Sequence, residues 1–322
     1  MSRRSFKPAM TDQAWGILAV SVACTIWGLS PIFYKEVRHL PPLDVLAHRT
    51  LWSLVFFLIY LAMRRRLSEV PRAFTGGQAG LILLAATMVS ANWFLFILST
   101  QIDRVTEASL GYFIFPLVAV LIGRFWFAEP MTVLQWCATG LAALGVLVLT
   151  IGLGVAPWIS LVLAITFGIY SAVKKSMHLG PVLSVACEVL VFLPFALIIL
   201  SGVFSSHAIT PSSRDLVFLV LSGPLTGGPL MLFAYAARRA SLVAVGLLQF
   251  INPMLQFLCA VLIFAEPFTG WHGTSFVFIW LALGVYSVTL VRQAKASRNV
   301  ATVSGTEPAT LNRSHNEGSA KP

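Results

Sequence analysis

Ten mostly apolar runs, each about twenty residues long and joined by short polar linkers, leave this chain few ways to fold. A helix needs about 20 such residues to cross a hydrocarbon core about 30 Å thick. Inside that core every backbone N–H and C=O must be paired within the protein, so spanning segments are helices or closed barrels, and runs of this length suit helices. The runs are residues 15–34, 43–63, 79–100, 106–127, 132–153, 156–174, 180–203, 215–236, 241–264 and 272–292. The expected fold class is therefore all-α integral membrane, with ten transmembrane helices.

Composition closes the alternatives. The chain is 57% hydrophobic and 11% charged, where a soluble enzyme carries about a quarter charged residues and a disordered chain reverses the balance. Cys24, Cys137, Cys187 and Cys259 all lie within apolar runs, without metal-ligand or disulfide-framework spacing, so neither redox chemistry nor zinc is indicated and no cofactor is expected.

The formal net charge of +10 would suggest nucleic acid in a soluble protein, but here the basic residues fall at the ends of runs. Lys and Arg are retained on the cytoplasmic side of a membrane. With the N-terminus inside, seventeen fall on the cytoplasmic side and four (Lys35, Arg38, Arg104, Arg214) on the other, with Arg49 inside a run. The charge is thus mostly topology, with both termini cytoplasmic. The first run follows basic residues as a secretory signal does, but it is long and lacks a small-residue cleavage site, so it reads as an uncleaved span. Residues 1–14 form a cytoplasmic N-terminal segment, and 293–322, rich in Ser, Thr, Asn, Glu and Lys, a disordered cytoplasmic tail.

The two halves resemble each other. Tyr112-Phe113-Ile114-Phe115-Pro116-Leu117 matches Gln249-Phe250-Ile251-Asn252-Pro253-Met254, and each Pro precedes an Ala-Glu-Pro tripeptide, Ala128-Glu129-Pro130 and Ala265-Glu266-Pro267. Trp27-Gly28 with Lys35 likewise matches Phe167-Gly168 with Lys175, the two offsets being 137 and 140 residues. Residues 15–153 and 156–292 then form two five-span copies, and an odd span number inverts one copy relative to the other. Inverted repeats are a transporter signature.

Several side chains are expensive where they sit. His48 and Arg49 lie in the outer third of the second run and Glu188 inside the seventh, where an ionised group costs about 2.5–3.5 kcal/mol on insertion scales and normally faces a cavity or a partner. Glu188 reads as a proton acceptor or counter-ion, or as a structural carboxylate. Arg49 presents a planar fork suited to carboxylate or phosphate, or snorkels to the headgroups. His48, four residues after Asp44, can share its helix face and relay protons, or be a packed neutral ring.

Uncharged groups that bear hydrogen bonds are Asn92, Trp93, Tyr112, Tyr170, Thr226, Gln249 and Asn252, which either contact substrate or glue helices together at about 0.6 kcal/mol each. Pro116 and Pro253 are expected to break the fourth and ninth spans, freeing carbonyls that line a cavity. Glu129 and Glu266 fit helix capping and interfacial pairing better than chemistry.

These residues carry a family resemblance. His48-Arg49 followed by Trp52-Ser53, Asn92-Trp93, Glu107 through Ile114, Glu188 with Leu193-Pro194, and Thr226 through Pro229-Leu230 resemble the RarD permeases, EamA-type transporters of the drug/metabolite transporter superfamily, across essentially all ten spans. The resemblance implies a bacterial inner-membrane carrier of two inverted EamA repeats that moves small solutes by alternating access, with Trp52 added to the substrate-binding candidates. RarD is named for an association with chloramphenicol, and relatives export amino acids and other metabolites. One departure is Phe115, which stands where the family usually has Asn before Pro116.

The function expected is secondary transport, since no Gly-Lys-Ser/Thr phosphate loop exists to use ATP. An intramembrane enzyme would need an embedded Ser/His, paired-Asp or His-Glu-x-x-His constellation, none of which the sequence holds. A passive channel is the remaining class. The partners expected are a small-molecule substrate, the lipid bilayer, protons or a counter-solute, and a second copy in a homodimer. Nucleic acid is not among them.

Overall fold

A computed structural model describes residues 11–75, 77–154, 156–202 and 211–303. The helices are α1 (Asp12–Glu36), α2 (Pro42–Met63), a short α3 (Glu69–Ala73), α4 (Gln78–Gln101), α5 (Val105–Trp126), α6 (Val133–Leu153), α7 (Trp158–Ser176), α8 (Pro181–Leu200), α9 (Ser213–Ala237), α10 (Leu242–Leu248), α11 (Ile251–Leu258) and α12 (Gly270–Val303). Ten of the described segments are long and apolar enough to cross a membrane, with α10 and α11 combining into the ninth.

Local chemistry sets the ends. Pro42 and Pro181 open α2 and α8 at the first helical position, where a missing N–H costs nothing. Thr132 with Gln135, and Ser212 with Asp215, form capping boxes that start α6 and α9.

Two expectations are corrected. The final helix does not stop near residue 292 but continues to Val303, because residues 293–303 supply Ala, Gln, Arg and Lys, which are good helix formers even where they are too polar to be embedded. Residues 304–322 of the expected tail, and 1–10 of the N-terminal segment, lie outside the described residues. Pro116 does not break the fourth span: α5 is one helix from Val105 to Trp126 that tolerates it internally. The ninth span is the interrupted one. Its axis breaks at Gln249 and Phe250, within the turn preceding Pro253, and it ends in a π-helical turn, Cys259–Ile263.

Helix directions follow from contacts at the ends of α4. Its C-terminal end meets the end of α1, where Lys35 donates to the Thr100 carbonyl at 3.1 Å and pairs with Asp103. Its N-terminal residue Gln78 accepts from the His178 N–H, just past the end of α7, at 3.4 Å. So α1 and α7 point in opposite directions. The main packing partners are α1 with α9, α4 with α7, α5 with α7, α1 with α11, α2 with α8, α2 with α9, α4 with α8, and α6 with α12. Exchanging α1, α2, α4, α5 and α6 for α7, α8, α9, α10–α11 and α12 maps this set onto itself.

Details repeat under the same exchange. Ala128 and Ala265 both adopt positive φ, 53° and 52°. The next residue in each case donates its N–H six residues back, Glu129 to Gly123 and Glu266 to Ala260, at 3.2 and 3.0 Å. Lys35 lies 5.0 Å from the Phe264 ring centre and Lys175 lies 4.8 Å from that of Phe127. Gly28 allows close approach to Leu255 on α11, and Gly168 to Val118 and Ile122 on α5.

Candidate functional site

Arg49 lies in the third turn of α2 and is 6% exposed. Its guanidinium sits 4.2 Å from the Trp93 ring centre and 5.5 Å from that of Tyr34. No carboxylate pairs with it among the described residues, and its Nε has no hydrogen-bond partner. Two cation–π contacts contribute about 0.5–2 kcal/mol each, while removing a cation from water costs several kcal/mol. The deficit is what an anionic ligand group would offset.

Neighbouring polar atoms are also unpaired. His48 Nδ1, Trp52 Nε1 and Ser53 Oγ are buried without partners, so four of the six residues from His48 to Ser53 carry an orphaned polar atom. Asp44 and His48 share a face of α2 closely enough for their charges to act on each other, without a hydrogen bond or ion pair between them. The backbone of α2 at Trp52 lies against Gly223 of α9, and the Phe56 ring lies against Gly227. A Cβ on either glycine would fall 2.4 Å from the Trp52 carbonyl oxygen or from the Phe56 ring, so this small-xxx-small pair lets the helices touch. Thr226, between the two glycines, adjoins Tyr34 and spends its hydroxyl on the Ser222 carbonyl at 2.8 Å.

Asn92, 1% exposed, is the hub of a second group. Its Nδ2 donates to the Leu163 carbonyl and Thr166 Oγ1, at 3.0 and 3.1 Å, and its Oδ1 accepts from the Tyr112 hydroxyl at 2.9 Å. This joins α4, α5 and α7. Rings continue the connection: Tyr34 meets Phe96 edge-on, Phe96 meets Tyr112, Tyr112 meets Phe167, and Phe167 stacks on Tyr170, at centroid distances of 5.9, 6.1, 6.0 and 5.7 Å.

That ladder ends at Glu188, which is 1% exposed in α8. Its carboxylate accepts from Tyr170 at 3.1 Å, Ser184 at 2.7 Å and Lys174 at 2.6 Å. Glu188 is therefore fully paired, whereas Arg49 is not. Lys174, one of the seventeen basic residues counted on the cytoplasmic side, belongs to the last turn of α7 and reaches back into the bundle.

Other candidates stand apart. Gln249 caps α10 at the break and makes no side-chain hydrogen bond, and Asn252 accepts from Gln256 Nε2 at 2.9 Å within α11. Phe115 packs on Phe167 at 4.8 Å, an apolar contact where the second half holds Asn252, so the two crossing helices differ in polarity. Glu266 receives the N–H groups of Val105 and Thr106 and the Thr106 hydroxyl at 2.6, 2.8 and 2.7 Å, a cap that crosses between the halves. Glu129 pairs with Lys175 at the surface. Sequence reasoning missed Tyr34, Thr166, Lys174 and Ser184; aligning the first and sixth spans at the 140-residue offset places Tyr34 opposite Lys174, a signal that could have found two of them.

The chain is similar to known proteins over most of its length. Residues 14–151 match the EamA-like transporter family. Protein RarD of Streptomyces exfoliatus is 38% identical, covering 90% of this chain and 93% of its own. An uncharacterized transporter of Vibrio cholerae is 36% identical over 90% and 98%, and protein RarD of Escherichia coli 33% over 84% and 93%. A solved crystal structure superposes with a TM-score of 0.58 at 15% identity, over 86% of this chain and 98% of that one, which speaks for the fold alone. With ten spans, this architecture and relatives of that similarity, the chain belongs to the EamA-like transporter family, as a membrane transporter of RarD type.

Proposed function

We infer that the protein is a secondary carrier moving a small solute with an anionic group, such as an amino acid or related metabolite, across the bacterial inner membrane by alternating access. The observation that carries this reading is Arg49: a buried cation held between Tyr34 and Trp93, with an unpaired Nε and no acidic partner among the described residues. The anionic group docks on Arg49, the rings of the ladder pack the body of the solute, and Asn92, Tyr112 and Thr226 supply polar contacts. The exchange-invariant helix packing and the matched Ala128 and Ala265 turns support two inverted five-span repeats as the moving parts.

Glu188 and Lys174 form the opposing latch. When the latch opens, a proton or counter-solute takes the place of one partner, which couples the cycle to a gradient. His48 is a second proton candidate beside Arg49. The excess of Lys and Arg at one face supports a topology with both termini in the cytoplasm and the Arg49 end outside, and export is the direction we infer. One relative in Pseudomonas aeruginosa is named a chloramphenicol-sensitive protein, which makes that drug a compound worth including beside metabolites.

Uptake and counterflow in proteoliposomes, over a labelled panel of amino acids, organic anions and chloramphenicol with and without a pH gradient, test this reading. Saturable counterflow of an anionic solute that Arg49→Gln abolishes is the expected result. Non-saturable flux without counterflow would indicate a channel, and chemical alteration of the solute an enzyme.

A further inference from the structure

A groove of about 970 Å³ runs along the outer side of α9, bounded by α1 on one flank and by the end of α2 and the start of α8 on the other. It is separate from the Arg49 site. Leu221, Gly228 and Tyr235 recur every seven residues along its floor, and Thr226 lies two residues from Gly228, about 200° around a helix of 3.6 residues per turn. Thr226 is buried and faces Tyr34, whereas Leu221 and Tyr235 are exposed. The groove therefore opens sideways, toward the lipid.

The groove's two ends differ in chemistry. At one end its walls are Ile26, Phe33, Leu221 and Leu225, all apolar. At the other it is lined by Arg64, Arg66, Arg238 and Arg239. Arg66 is occupied by Glu69 at 2.7 Å, but Arg64, Arg238 and Arg239 have no ion-pair partner among the described residues. Two of these are held in place by rings: Arg64 lies 5.6 Å from the Tyr60 ring centre and Arg239 3.8 Å from that of Tyr235. Arg64 and Arg238 are the C-cap residues of α2 and α9, so the basic mouth lies at the membrane surface rather than at its centre.

We propose that this groove is a binding site for an anionic phospholipid, with an acyl chain lying along α9 beside Gly228 and the phosphate held by Arg64, Arg238 and Arg239. Three guanidiniums at headgroup depth, two of them held by rings, are continuous with an apolar trough open to the bilayer and match a molecule that is anionic at one end and hydrocarbon at the other. A Cβ at Gly228 would meet nothing within 4 Å, so the position leaves room beside the chain. Bound lipid bridges α1, α2, α8 and α9, which meet across the two halves, so its presence resists their relative movement.

Purified full-length protein in neutral detergent is titrated with phosphatidylglycerol, with phosphatidylcholine of the same chains, and with inorganic phosphate. Thermal midpoint and lipid retained in native mass spectrometry are read. Phosphatidylglycerol is expected to raise the midpoint and remain bound, with phosphatidylcholine and phosphate having little effect. Replacing Arg64, Arg238 and Arg239 by Gln should weaken that binding by about fivefold per arginine removed, and Gly228→Phe, which fills the trough and leaves the arginines, should also release the lipid. The corresponding change at Arg124, a cytoplasmic arginine that does not line the groove, should not. Equal retention of the two lipids, a phosphate effect as large as that of phosphatidylglycerol, or variants that hold phosphatidylglycerol unchanged would each overturn the proposal. The comparison of lipids on the unaltered protein decides the matter even where a variant fails to fold.

Discussion

Arg49 and Glu188 hold the same place in two helices and carry opposite charges. Each is the eighth residue of its helix, counted from Pro42 and Pro181. Each also contacts the third-last residue of the preceding long helix, Arg49 stacking on Tyr34 of α1 and Glu188 pairing with Lys174 of α7. Because α1 and α7 run in opposite directions, the two contacts sit toward opposite ends of the bundle, joined by the rings from Tyr34 to Tyr170. One contact is an ion pair and the other a cation on a ring with no carboxylate beside it among the described residues, which gives the molecule its asymmetry.

Arg49→Lys keeps the charge but loses the planar fork and its stacking on Trp93. Transport of the anionic solute should persist with KM raised about tenfold, while Arg49→Gln loses the charge as well and should fall by about 100-fold in kcat/KM. Initial-rate kinetics in proteoliposomes separate the two. Equal rates in both variants would place the anion elsewhere.

Breaking the latch from one side leaves a buried charge behind. Lys174→Met should cost about 3 kcal/mol, the low end for a buried pair because Lys174 keeps some solvent contact. Joining it to Glu188→Leu should recover much of that loss, and a double-mutant cycle on thermal melting in detergent measures the coupling.

Although they share a tripeptide, Glu266 and Glu129 should behave differently. Each carboxylate oxygen of Glu266 accepts one of the first two backbone N–H groups of α5, so Glu266→Gln, which keeps one acceptor and turns the other into a donor, should lower stability by about 1–2 kcal/mol. Glu129→Gln affects an exposed pair with Lys175 and should cost less than about 1 kcal/mol. Melting curves recorded side by side give the comparison.

The matched glycines differ in what they face. A methyl on Gly28 would come 2.6 Å from Leu255 Cβ and 3.0 Å from the Asn252 carbonyl, next to backbone. On Gly168 it would come 2.8 Å from Ile122 Cδ1, the movable end of a side chain. Gly28→Ala should therefore destabilise by about 1–3 kcal/mol and Gly168→Ala by clearly less. Thermal midpoints of the two variants test the ordering.

The ten spans could be read from the sequence because a bilayer demands about 20 apolar residues per helix whatever the tertiary packing. Polar residues inside spans stood out for the same reason, so Arg49, Asn92 and Glu188 were visible as candidates. Their partners were not. Asn92 bonds to the Leu163 carbonyl on α7, and no side-chain pattern announces a backbone acceptor. Lys174 and Tyr34 looked like span-end residues, since only the reach of Lys174 to Glu188 on α8, and of Tyr34 to Arg49 on α2 and Phe96 on α4, turns them inward. Pro116 and Pro253 share a local sequence pattern yet only the second follows a helix break, a difference that local propensity does not encode.

Alternating access between the Arg49 and Glu188 ends is the central claim, and reciprocal accessibility tests it most directly. In a background lacking Cys24, Cys137, Cys187 and Cys259, single cysteines at Ser30, near the Tyr34 end, and at Met177, near the Lys174 latch, are labelled with a membrane-impermeant maleimide from each side of sealed vesicles. Adding Glu188→Gln, which weakens the latch, should raise labelling of the residue 177 cysteine from its side while lowering that of the residue 30 cysteine from the other. Labelling that rises at both positions, or at neither, would contradict the account.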